Sequence, residues 1–230
     1  MLIMKKYVFW IFLTVIFVQC TEIESGKNQE KTDTDPENNL IGQKPQNNSF
    51  QEGDLIFQVS LSSQSKAIQL ATHSKYSHMG VILKKGNEFY VFEAIQPVTF
   101  TPLKKWIERG ENNHFVVKRL KNGQKILSED KILEMKNIGK EYLGKNYDIY
   151  FGWSDERIYC SELVWKIYKK ALNIEIGKLS RLKDFDLSHA EVKNKLKERY
   201  GNNIPLDEKV ISPKDMFESE VLEEININKF

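Results

Sequence analysis

The stretch HMGVILKKGNEFYVFEAI, residues 78–95, decides the fold. Two β-rich runs, His78 to Leu83 and Phe89 to Ile95, flank the charged, glycine-containing segment Lys84-Lys85-Gly86-Asn87-Glu88. That is the pattern of an antiparallel hairpin. Register decides which side chains meet. A turn on Lys85-Gly86, or on the whole of Lys84 to Asn87, sets His78 directly opposite Glu93. A turn on Gly86-Asn87 sets Glu93 opposite Gly80 and diagonal to His78. In both registers imidazole and carboxylate share one sheet face, within reach of a cross-strand contact; an odd-length loop would flip the parity and separate them. A carboxylate inside FYVFEAI is costly to bury unpaired. An imidazole partner explains it, with the acid fixing the ring's tautomer and stabilising its charged form.

Outward from the hairpin, the turn signal Glu52-Gly53-Asp54 opens a strand over Leu55 to Val59, and Ser63 to Ala71 has helical periodicity. His114 to Leu120 reads as a further strand. Ser128 caps a helix running to Leu143 with Gly144 as its stop, and a second helix runs from Ser161 to Ala171. Ser188 to Tyr200 is a charged helix ending at Gly201, and Ser212-Pro213 gives the N-cap and first-turn proline of a last short helix. Strands cluster early and helices late, so the expected class is α+β, a mainly antiparallel sheet packed against helices.

Cys160 stands at the front of the amphipathic segment RIYCSELVWKIY, residues 157–168. Free amide N–H groups and the positive end of the helix dipole favour thiolate over thiol there, and such cysteines fall from about 8.5 into roughly 3.5–7.5. The same amides can bind the oxyanion of an acyl-transfer intermediate. A packed core cysteine fits the position on the helix equally well, so the neighbourhood has to decide. Of the four histidines, His73, His114 and His189 fall in polar or charged surroundings and read as surface residues. His78 opens an apolar strand, an unusual place for a solvated imidazole; it is either the base that a nucleophilic cysteine needs or a satisfied edge histidine.

GDLIF, SHMGVIL, YVFEA and YCSELVWKIY, in that order, resemble the YiiX/YebB-type permuted amidases of the NlpC-type papain-like superfamily. The resemblance covers roughly Gly53 to Tyr168 and extends to Ile211-Ser212-Pro213-Lys214-Asp215. It implies a circularly permuted papain-like fold, because the histidine strand precedes the cysteine helix instead of following it. It also implies Cys160 as nucleophile, His78 as general base and acid, and Glu93 as the residue that orients it. Tyr147, in Leu143-Gly144-Lys145-Asn146-Tyr147-Asp148, fits the same family pattern as a residue lining the substrate site; a packed aromatic is the alternative.

The N-terminus reads separately. Lys5 and Lys6 precede the apolar run Tyr7 to Val18, the layout of a secretory signal and short for a membrane span. Val18-Gln19-Cys20 then resembles a bacterial lipoprotein signal in which Cys20 carries the lipid; an ordinary cleaved signal or an uncleaved anchor are the alternatives, and Gln19 departs from the small residue commoner there. Residues 21–49, rich in Glu, Asn, Gln and Lys, cannot bury enough surface to offset their ordering entropy and read as a flexible tether. The expected organisation is a signal over 1–20, a tether over 21–49 and one hydrolase domain over 50–230. The chain has only two cysteines, so lipidation of Cys20 would leave Cys160 without an intramolecular partner.

A formal net charge of +2 gives no reason to propose a nucleic-acid footprint. The scattered histidines lack zinc-ligand spacing, and no glycine-rich phosphate loop is present, so no metal and no cofactor are expected. The expected activity is a cysteine hydrolase acting on an amide of a small peptide or amino-acid conjugate, cell-wall-derived peptides included, at the bacterial cell envelope and held to a membrane through Cys20. The rival expectations are a lipid ester hydrolase or acyltransferase on the same fold, and a non-catalytic binding domain.

Overall fold

The computed structural model describes residues 49–227. The expected signal over 1–20, with Cys20 as its expected lipidation residue, and the expected tether up to residue 48 lie outside the described residues.

Ten strands and seven α-helices are distinguished, in the order β1 (Leu55–Ser60), α1 (Ser65–Thr72), β2 (His78–Lys85), β3 (Glu88–Glu93), β4 (Thr99–Pro102), α2 (Leu103–Glu108), β5 (Gly110–Leu120), α3 (Gly123–Ile126), α4 (Glu129–Tyr142), β6 (Asn146–Tyr147), β7 (Arg157–Ile158), α5 (Cys160–Leu172), β8 (Ser180–Arg181), α6 (Ala190–Tyr200), β9 (Lys209–Val210), α7 (Pro213–Phe217) and β10 (Leu222–Ile225). A 3-10 turn at Leu182–Asp184 follows β8. The main sheet has six strands in the order β10-β5-β1-β2-β3-β4, every neighbouring pair antiparallel. The fold is α+β, as its sequence implied, with the histidine strand ahead of the cysteine helix.

The sheet is covered on both faces, and its alternation divides the side chains between two clusters. On one face Leu55, Phe57, Met79, Val81, Leu83 and Phe92 pack against Leu163, Val164 and Ile167 of α5 and against Met135 of α4. On the other, Ile56, Ile82, Val91 and Val117 pack under Leu103, Trp106 and Ile107 of α2.

The hairpin takes the second of the two registers. Lys85 pairs with Glu88 and Val81 with Phe92, so the chain turns on Gly86-Asn87. Gly86 has φ +60 while Asn87 is not among the residues of positive φ, the pattern of a type II′ turn with glycine in the first central place. The same register continued puts Glu93 opposite Gly80 and diagonal to His78. Gly80 must be glycine: a Cβ there would lie 2.4 Å from Val91 Cγ1, 2.8 Å from the Phe92 carbonyl oxygen and 3.2 Å from Glu93 Cβ.

Helix boundaries follow their caps. Ser128 Oγ accepts from the Lys131 N–H at the start of α4, and Ser212 with Asp215 forms a complete capping box on α7. The cysteine helix begins one residue earlier than its pattern indicated, with Cys160 in the first turn and Tyr159 as the cap residue. The strand read from His114 begins at Gly110. The larger difference concerns the segment Pro97 to Gly110, to which the sequence pattern assigns no element. It holds β4 and α2, and α2 closes the second face of the sheet.

Candidate active site

Cys160 lies at the N-terminus of α5, 2% exposed, its thiol reached by the backbone N–H groups of Met79 and Ser161. The helix is there because Leu163, Val164 and Ile167 form one fully buried stripe. The first residue of β2, His78, is 7% exposed and meets the same thiol from the sheet. Glu93, the last residue of β3, is fully buried and on the face of the sheet that His78 shares. Three side chains distant in the chain thus converge at the end of the sheet where β2 begins.

Glu93 is held from four sides. Its Oε2 accepts from His78 Nε2 at 2.6 Å, from Trp106 Nε1 at 2.8 Å and from Arg109 Nη2 at 2.6 Å, while Thr101 Oγ1 donates to Oε1 at 2.5 Å. The Trp106 ring lies nearly parallel to the imidazole, centroids 6.1 Å apart. With Nε2 committed to the carboxylate, Nδ1 is the ring nitrogen left for sulfur.

Electrostatics follow from this placement. Burial alone would hold all three groups neutral. At Glu93 the burial penalty is outweighed by the hydrogen bond and charge of His78 and by the Arg109 guanidinium, which bring the acid down to about 2. At His78 burial again opposes charge, yet the hydrogen bonds to Cys160 and Glu93 and their negative charges push the imidazole up to about 9. At Cys160 burial raises the thiol, but the hydrogen bond and charge of His78 and the N–H groups of Met79 and Ser161 bring it below its ordinary value. Thiol down and imidazole up is the signature of a thiolate–imidazolium pair.

Tyr147 is brought into the same place. Parallel pairing of β6 with β7 sets Tyr147 level with Ile158, two residues before Cys160. Its hydroxyl accepts from Gln64 Nε2 at 3.0 Å, and Arg199 donates to Gln64 Oε1 at 2.8 Å. Burial, and after it the negative charge at Cys160, hold the phenol well above its usual range. Two spaces meet here. Cys160 lines a cavity of about 90 Å³ between α1, α5 and α6, with walls that include Ala67, Ile68, Phe185, Val192 and Leu196. His78 lines an open groove of about 790 Å³. Tyr147 and Gln64 line both.

The other histidines lie outside this site, as their surroundings indicated. His73 is exposed and pairs with Asp186 at 3.1 Å; His114 is exposed and within 3.3 Å of the Lys75 ammonium; His189 is part-exposed. Glu162 is buried two residues beyond Cys160, about 200° further round the helix. Burial holds its acid up at about 8, and it pairs with Lys166 at 2.7 Å on the side of α5 away from the thiol. Among the described residues no group of three or more His, Cys, Asp or Glu side chains is arranged to hold a metal ion.

A family model described as permuted papain-like amidase enzyme, YaeF/YiiX, C92 family, matches residues 49–226. The chain belongs to this family. A YaeF/YiiX relative, the uncharacterized protein YiiX of Escherichia coli (strain K12), is 53% identical over 169 residues, covering 74% of this chain and 82% of that protein. The crystal structure of the metalloprotein yiiX from Escherichia coli O157:H7 is similar at a TM-score of 0.73 and 52% identity, over 76% of this chain and 96% of that one. Membership accounts for the permuted order of elements and places the chain among peptidase- and amidase-like proteins.

Proposed function

We propose that this YaeF/YiiX-family domain is a cysteine hydrolase of amide bonds, with Cys160 as nucleophile, His78 as base and acid, and Glu93 orienting the ring. The observation that carries the reading is the buried imidazole, held at 2.6 Å by an ionised carboxylate on one nitrogen and facing a thiol of lowered pKa with the other. In the first step the thiolate attacks the substrate carbonyl, and N–H groups at the start of α5 receive the oxyanion. His78 then passes its Nδ1 proton to the leaving nitrogen, the C–N bond breaks and a thioester remains on Cys160. A water, deprotonated by the now neutral ring, attacks the thioester, and the acid leaves as the ring returns its proton to sulfur. Glu93 stays ionised throughout, and Tyr147 lines the space the substrate enters.

A small peptide or amino-acid conjugate is the substrate class the family description supports best. The apolar walls of the cavity at Cys160 favour a second reading on the same chemistry, in which the acyl group is apolar and the substrate a lipid ester or acyl conjugate. Incubation with peptide amides, N-acyl amino acids and phospholipids, followed by intact-mass detection of the acyl-enzyme, separates them. Adducts from peptide amides support the first reading, adducts from phospholipids the second, and no adduct from any donor contradicts both.

The proposal places the domain at the cell envelope, tethered through a lipid on Cys20, on the strength of the Lys5-Lys6 and Tyr7 to Val18 pattern. Metabolic labelling with a fatty-acid analogue should mark the full-length wild type and not Cys20→Ser; equal labelling of both would exclude the anchor.

A further inference from the structure

The groove that His78 lines has a one-sided charge. Apart from the histidine, the carboxylate or basic side chains among its described lining residues are Arg109 and Arg157, with no Asp or Glu. Gln96 and Asn146 add neutral polar surface and hydrogen-bond to each other at 2.6 Å. Both arginines are placed by structure. Arg109 follows α2 and spends Nη2 on Glu93, yet its side chain remains 40% exposed and lines the groove. Arg157 sits on β7 level with Asn146 of β6, three residues before Cys160.

If Cys160 and His78 react as proposed above, and the inference rests on that reading, the two spaces acquire different roles. The acyl group stays bonded to sulfur on the cavity side. The leaving group takes its proton from His78 and so occupies the groove. A guanidinium presents a rigid fork of donors matched to carboxylate and phosphate oxygens; Arg157 offers such a fork, Arg109 offers the donors that Glu93 leaves unused, and no Asp or Glu is among the groove's described lining residues.

We propose that the groove is an anion-binding subsite for the leaving group: the departing amine or alcohol carries a carboxylate or a phosphate that Arg109 and Arg157 receive. An amino-acid amine supplies the first chemistry and a phosphorylated head group the second.

The test uses the rate of Cys160 alkylation by the anions iodoacetate and 3-bromopropionate against their neutral amides. In each reaction the thiolate displaces halide as the S–C bond forms. Free thiolates alkylate the amides at least as fast as the acids. The subsite should reverse that order by about tenfold or more, with saturation in the anion, and Arg157→Gln should return the ratio towards that of a free thiol. Acetate and inorganic phosphate as competitors distinguish the two anion chemistries by which of them suppresses the anionic rate. A wild-type ratio like that of free cysteine, or suppression by neither competitor, would overturn the subsite. Slow alkylation by the amides at mildly acidic pH would instead contradict the underlying thiolate reading, so the two failures are distinguishable.

Discussion

Replacing Cys160 with alanine is expected to abolish both adduct formation and turnover while leaving the fold intact. The nucleophile of a cooperative triad cannot be substituted by its partners, and its removal costs on the order of 10⁴–10⁶-fold in rate. Folding should survive because Cys160 stands in the first turn of α5, where alanine is a good helix former, and because one sulfur is lost from a wall that already borders a cavity. The paired measurements are intact mass after exposure to the best acyl donor and thermal unfolding. A variant that keeps its mass shift, or turns over within a few fold of wild type, would remove Cys160 from the chemistry.

The second large effect is expected at Glu93, where two substitutions separate charge from structure. Glu93→Gln can place its amide oxygen where Oε2 receives His78, Trp106 and Arg109 and turn its NH₂ towards Thr101, so the hydrogen-bond geometry is retained and only the charge is lost. Removing a negative charge lowers the pKa of a neighbouring imidazole, so His78 should fall from about 9 and the alkaline limb of activity should move down with it. Turnover should drop by about 10⁴-fold, the size of the loss when a triad acid loses its charge. Glu93→Ala leaves four donors facing an empty site, one of them a guanidinium, and should also destabilise the domain by about 3–5 kcal/mol. An unmoved alkaline limb in Glu93→Gln would show that the carboxylate does not set the state of the ring.

The parts of the site that were legible in the sequence share a cause. His78 and Glu93 lie on two runs joined by a short loop, so their relation is governed by strand parity, which local patterning carries. The exact register was not so carried: alternative turns placed Glu93 opposite His78 or opposite Gly80, and only the Gly86-Asn87 turn of the folded hairpin chooses between them. Cys160 was visible because an amphipathic helix begins beside it. The cradle of Glu93 was not visible. Thr101, Trp106 and Arg109 fall in a segment whose strand is four residues long and whose helix has six, too short for periodicity to announce either. A fully buried glutamate demands a cation, which is a usable signal, but nothing local distinguishes Arg109 from the other arginines of the chain. The cavity at Cys160 was equally hidden, since its walls come from α1, α6 and the segment around Leu182, brought together by tertiary packing alone.

The proposed chemistry depends on a thiolate that exists because an imidazolium stands beside it. The direct measurement is the rate of Cys160 alkylation by iodoacetamide as a function of pH. Lowering of the thiol by His78 and raising of His78 by the thiol and Glu93 together place the ion pair in a window that opens below the ordinary thiol value and closes near 9. The rate should therefore rise first below the ordinary thiol value, reach a plateau, and change again as His78 loses its proton at about 9. A single rise centred near 8.5, the behaviour of an unperturbed cysteine, would contradict it.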